Sequence, residues 1–119
     1  MNNKRRGTQF EKEFCKLLSA HGWWTHFITP APSGGQPFDI IAVKAGFPIA
    51  IDCKTSVDHI FRISRLEQNQ ICAFEKWIEC GNGEPRIAVK YNDNIYLLEY
   101  RRLKENGRID LDRETPYTP

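Results

Sequence analysis

The chain has 119 residues, a formal net charge of +2, 40% hydrophobic and 27% charged residues. That length builds one core of useful size rather than two independent ones, and the composition suits a globular protein rather than a disordered or fibrous one. No apolar run approaches bilayer length, and the basic start MNNKRRGTQFEKEF has no apolar stretch behind it; neither a membrane span nor a secretory leader is expected, and a reducing cytoplasm is.

Thr8 followed by Glu11 reads as a capping box, after which Phe10, Phe14, Leu17 and Leu18 recur at helical spacing until Gly22. WWTHFI, residues 23–28, is aromatic and β-branched and reads as a strand. TPAPSGGQP, residues 29–37, is a loop. Two strands follow at 38–43 and 47–54, broken near Ala45-Gly46. Ser64 and Glu67 form a second capping box, opening a helix over 65–80 that Gly81 ends. PRIAVKY and IYLLEY, split by Asn92-Asp93-Asn94, make a closing hairpin. Beyond Tyr100 the chain turns polar, and residues 106–119 are expected to form a loosely held tail of a single domain spanning 1–119. The fold class is α/β, a mixed sheet of about five strands flanked by helices, because both faces of the central strands are apolar and need cover.

The stretch QPFDIIAVKAGFPIAIDCKTS nonetheless carries Asp39, Asp52 and Lys54 inside its strands. Burying a lone carboxylate costs several kcal/mol or more unless something pairs with it. If Ala45 and Gly46 alone make the turn, Asp39 falls directly opposite Asp52; a longer loop changes that register. Alternation then puts Lys54 on the face of Asp52, with Ile41, Val43 and Ala50. Phe38, Ile40, Ile49, Ile51 and Cys53 line the opposite face. Two facing carboxylates at a sheet edge suit a hard divalent cation, Mg²⁺ or Mn²⁺, with Lys54 placed to orient a water or offset phosphate charge. An isolated Asp-x-Lys is more often a structural salt bridge. The second acid on the adjoining strand tips the reading towards a site.

Gln70 falls within the apolar side of its helix, among Leu66, Ile71, Phe74 and Trp77, where an amide needs partners. It either supports the charged patch or caps a sheet carbonyl. Cys15, Cys53, Cys72 and Cys80 include no Cys-x-x-Cys pair and read as buried free thiols. Basic residues gather at Lys4, Arg5 and Arg6, at Arg62 and Arg65, and at Arg101 and Arg102, while the acids are dispersed. Glu11 and Glu13 flank the apolar stripe of the first helix, and wheel geometry does not choose between them.

With Asp39, then Asp52-Cys53-Lys54 on the next strand, the chain resembles the PD-(D/E)XK nuclease superfamily. KRRGTQFEKEFCKLLSAHGW resembles the opening of archaeal Hjc-type Holliday junction resolvases, in which a basic-Gly stretch precedes a helix bearing a catalytic glutamate. Matched by the Gly, that glutamate is Glu11. FRISRLEQNQICAF, KENGR and ETPY resemble bacterial RecU-type resolvases, which places Gln70 on that group's glutamine. The pattern departs from the family in Pro37, one residue further from Asp39 than the motif name suggests, in Asp52 where Glu is commoner, in Asn69 where a His stands, and in the short interval before Asp39.

The resemblance implies a restriction-endonuclease-like core that hydrolyses DNA with Mg²⁺ or Mn²⁺. Asp39, Asp52 and Glu11 would hold the metal, Lys54 would act on water and phosphate, and Gln70 would support the site. It further implies a homodimer acting on branched, four-way junction DNA. Lys4, Arg5, Arg6, Ser33, Lys44, Arg62 and Arg65 are the expected DNA-binding residues. The alternatives are another PD-(D/E)XK nuclease, of restriction or end-repair type, or a non-catalytic DNA-binding protein on the same fold.

Overall fold

The computed structural model describes residues 3–29 and 36–119, and in the first segment the side chains from residue 9 onward. Helix α1 spans Asn3–Ala20, so it begins before Thr8, which lies within it and does not cap it. Phe10, Phe14 and Leu18, one turn apart along its length, are its buried side. Strands β1 (Trp24–Phe27), β2 (Ile40–Lys44) and β3 (Phe47–Thr55) follow as an antiparallel meander. Ala45 and Gly46 both adopt positive φ, 52° and 82°, the left-handed pair that suits a tight two-residue hairpin. Lys44 therefore pairs with Phe47 and Ile40 with Ile51, the register that puts Asp39 opposite Asp52.

Helix α2 (Gln68–Glu79) carries the chain across one face to β5 (Arg86–Tyr91), which runs parallel to β3. Strand β6 (Asn94–Glu99) returns through Asn92 and Asp93, again both at positive φ. The main sheet has five strands in the order β1-β2-β3-β5-β6. Helix α1 covers the face of Ile40, Ala42, Ile51, Cys53 and Ala88. Helix α2 contributes Phe74 to the opposite cluster, with Ala50, Ile87 and Val89. Both faces are thus covered, as their apolar character requires.

Four further expectations need correction. Phe38 does not share the face of Ile40: strand pairing starts only at Ile40, and Phe38 packs on α2 with its ring 6.1 Å from Phe74 and 5.9 Å from Trp77. Ser64 does not cap α2. A short strand β4 (Ile60–Arg62) and a single 3-10 turn, Ile63–Arg65, occupy that stretch, because Ile63 N donates to Gly107 O at 2.9 Å. Glu67 is the capping residue instead.

The C-terminal residues are not a loose tail. Helix α3 (Tyr100–Asn106) stops at Gly107, whose φ of 77° closes it, and β7 (Arg108–Asp110) then pairs with β4. Leu103, Ile109 and Leu111 are buried, and Tyr117 N donates to Ile95 O at 2.6 Å. A few well-spaced apolar anchors hold a segment whose average composition is polar. Of the four free cysteines, Cys53 is buried and Cys15 partly so, but Cys72 and Cys80 face solvent. No helix among the described residues is long and apolar enough to cross a membrane.

Candidate active site

Asp52 and Lys54 alternate onto the α2 side of β3, and Asp52 is wholly buried. Gln70, in the first turn of α2, donates from Nε2 to Asp52 Oδ1 at 2.9 Å. Its own oxygen accepts from Lys54 Nζ at 3.3 Å and from the Glu67 backbone N–H at 2.9 Å. One amide thus closes the helix N-terminus and holds both members of the Asp-x-Lys motif, rather than capping a sheet carbonyl. Lys54 Nζ also stands 3.4 Å from Asp52 Oδ2, but off hydrogen-bond geometry, so that buried oxygen has no donor.

Asp39 sits just before β2, where its backbone is bonded on both sides: Ile28 N donates to its carbonyl at 2.8 Å, and its own N–H donates to Ile51 O at 3.0 Å. Its carboxylate Oδ2 accepts from the Cys53 backbone N–H at 2.8 Å. That amide was not among the expected site groups, since a main-chain donor leaves no mark in a sequence. The negative charge of Asp39 acts on both Asp52 and Glu11, so the three acids share one electrostatic neighbourhood. Glu13 points elsewhere, to Lys90 Nζ at 3.4 Å on the surface. The geometry therefore separates the two glutamates that the helical wheel left equivalent.

Burial and then the neighbouring charge of Asp39 push the Asp52 carboxyl well above its ordinary value. The same two causes, in the same order, raise Glu11 from 4.5 to about 7. Lys54 lowers both, and does not offset the crowding. Neighbouring carboxyls, two of them held back from ionising and one with a donorless buried oxygen, suit a hard divalent cation bound through oxygen. Among the described residues, three ligand-type side chains converge within 4.8 Å only at His59, Asp110 and Asp112, between the start of β4 and the end of β7 and outside this site; Glu11, Asp39 and Asp52 stand further apart than that.

The expected DNA-binding residues divide. Lys44 lies at the tip of the β2–β3 hairpin and donates to His21 O at 2.9 Å, so it fastens the end of α1. The strand carries it about 16 Å from Asp39. Arg65 is exposed beside the site, its Nη2 donating to Thr55 O at 2.8 Å, one residue past Lys54. Arg62 is exposed on β4. Ser33 and the side chains of Lys4, Arg5 and Arg6 lie outside the described residues. Asn69, beside Gln70, donates to Gln36 O at 2.8 Å and moors the chain shortly before Asp39.

A five-stranded mixed sheet with a helix on each face, bearing an acid before β2, Asp-x-Lys on β3 and a glutamine on the crossover helix, defines a restriction-endonuclease-like core. The same fold is found in a Holliday junction resolvase, Hjc, of the archaeal hyperthermophile Archaeoglobus fulgidus, with a TM-score of 0.71, 19% identity and 89% of each chain covered. The family model for archaeal Holliday junction resolvase (Hjc) matches residues 2–117, and the chain belongs to that family. Crossover junction endodeoxyribonuclease Hjc of Methanocaldococcus jannaschii is 29% identical over 104 residues, 87% of this chain and 73% of the relative. Crossover junction endodeoxyribonuclease Hje of Sulfolobus acidocaldarius is 26% identical over 106 residues, 87% of this chain and 76% of the relative. Of the two resolvase types that the sequence resembles, the archaeal one is borne out.

Proposed function

We propose that the chain, read as one nuclease domain, is a metal-dependent, structure-specific endodeoxyribonuclease that resolves four-way DNA junctions by phosphodiester hydrolysis. The observation that carries this reading is the split environment of Asp52: one oxygen is held by Gln70, and the other is buried and donorless beside Lys54. Asp39, Asp52 and Glu11 would hold Mg²⁺ or Mn²⁺, which when bound supplies Lewis-acid assistance and an acidified water. Lys54, 17% exposed at its side chain, is reachable from outside and positioned to orient the attacking water and offset charge on the scissile phosphate. Gln70 keeps Asp52 and Lys54 in register. Family membership supports branched DNA as the substrate, and paired nicks in a four-way junction call for two sites, hence a homodimer. Exposed free thiols at Cys72 and Cys80 support a reducing, cytoplasmic setting.

The test is cleavage of labelled four-way junction, linear duplex and single strand, with and without Mg²⁺. Paired nicks in the junction alone, only with metal, are expected. Equal cutting of linear duplex would favour a nuclease of restriction or end-repair type. Junction binding without cutting under any divalent ion would leave a non-catalytic binder.

A further inference from the structure

The small second sheet places Arg62 of β4 directly opposite Arg108 of β7. Cβ atoms of facing residues lie about 5 Å apart, and like charges at such positions are destabilising. Both side chains are exposed. Elsewhere in the C-terminal part, Arg101, Arg102 and Arg113 are each matched with a carboxylate, at Glu84, Glu114 and Asp110. Among the described residues Arg62 and Arg108 have no such partner. The sheet cannot easily relax to separate them. Phe61 and Ile109, paired on its inner side, are buried, and His59 Nδ1 lies 3.0 Å from Asp110 Oδ1 across the other end. Three residues beyond Arg62, Arg65 is fixed to Thr55, so this sheet adjoins the end of β3 that carries Lys54.

We infer that Arg62 and Arg108 form a clamp for the DNA backbone, a site that holds phosphate beside the catalytic edge. The inference rests on the DNA-cleaving reading above and names part of its substrate surface. An anion seated between the two guanidinium groups removes their repulsion and takes up forked donors that have no carboxylate to meet. Contacts of this kind position the duplex without reading its sequence.

The test is equilibrium binding of catalytically silent Asp52→Asn protein to labelled four-way junction across a salt series, comparing Arg62→Gln, Arg108→Gln, Arg108→Lys and the double Arg62→Gln/Arg108→Gln. Each Gln variant should weaken binding and lower the slope of log K against log[salt] by about 0.9, and the double by about twice that, for any sequence in the arms. Arg108→Lys should keep the slope and lose only part of the affinity. Melting temperature should hold or rise in all of them. Unchanged affinity and slope in Arg108→Gln overturns the clamp, as does a loss that tracks a fall in melting temperature. A loss confined to one arm sequence also overturns it. If the unsubstituted protein neither binds nor cuts the junction, it is the nuclease reading that has failed, not the clamp alone.

Discussion

Gln70 Nε2 holds Asp52 Oδ1 at 2.9 Å, and this contact fixes which carboxylate oxygen remains for a cation. Gln70→Ala should therefore injure both architecture and chemistry. It strands Asp52 Oδ1, Lys54 Nζ and the Glu67 N–H together. A buried polar group left without a partner costs about 1–3 kcal/mol, and melting should fall accordingly. Single-turnover cleavage at saturating metal should drop as well. Wild-type cleavage with lowered melting would confine Gln70 to helix capping.

Lys54→Met separates catalysis from scaffolding. Because the Asp52 carboxyl is raised even with Lys54 present, it can take up a proton when the ammonium is lost. The loss of stability without metal should thus be smaller than the about 3–5 kcal/mol typical of breaking a buried ion pair. Cleavage should fall by roughly 10²–10³. Melting without metal and cleavage with it, on one preparation, decide the matter. A collapsed fold whose cleavage recovers once metal restores it would make Lys54 scaffolding.

Asp52→Asn keeps an oxygen for Gln70 and removes a buried charge that Asp39 opposes. Asp39→Asn keeps an oxygen for the Cys53 N–H. Both variants should abolish cleavage, and both should melt higher than the parent protein at neutral pH when no metal is present. Near-normal cutting by either would remove that acid from the metal site.

Glu11 gives the apo protein a distinctive pH profile. Its folded-state value of about 7 lies above the ordinary 4.5, so the folded form binds the proton more tightly than the unfolded one. The Glu11 contribution to stability without metal should accordingly decline as pH rises from about 4.5 to about 7, then level off. A divalent ion should raise the melting temperature more at pH 8 than at pH 5, where protons compete for the same oxygens. Glu11→Gln should flatten this dependence and lose cleavage. Glu13→Gln removes only an exposed pair with Lys90, worth about 0–1 kcal/mol, and should cut normally. Loss of cleavage in Glu13→Gln alone would exchange their roles.

The centre of this molecule was legible because its signals are local and periodic. Charges inside an apolar hairpin pointed to Asp39 facing Asp52 with Lys54 beside them, on the condition of a two-residue turn that the positive φ of Ala45 and Gly46 then supplies. Gln70 stood out as an amide on an apolar helix side. What escaped notice depends on contacts distant in sequence. Strands β4 and β7 have three residues each, too few to show alternation, and Phe61 needs Ile109, far along the chain, to become core. Arg108 acquires its neighbour Arg62 only through that pairing. The structural role of Lys44 is equally invisible in its own segment, because nothing there shows that the carbonyl of His21 accepts from it.

The parallel joining of β3 to β5 bears on the order of folding. The β1–β2–β3 meander closes through short turns, whereas Gln70 reaches Asp52 only when the crossover through α2 has been laid down. Closing the longer loop is the slower step. The hairpin therefore brings Asp39, Asp52 and Lys54 together before the Gln70 amide is in place, and the charge conflict that Lys54 does not offset falls on the ascent to the folding barrier rather than after it. A cation captured by the nascent hairpin would speed refolding, whereas one that needs the finished site would only slow unfolding.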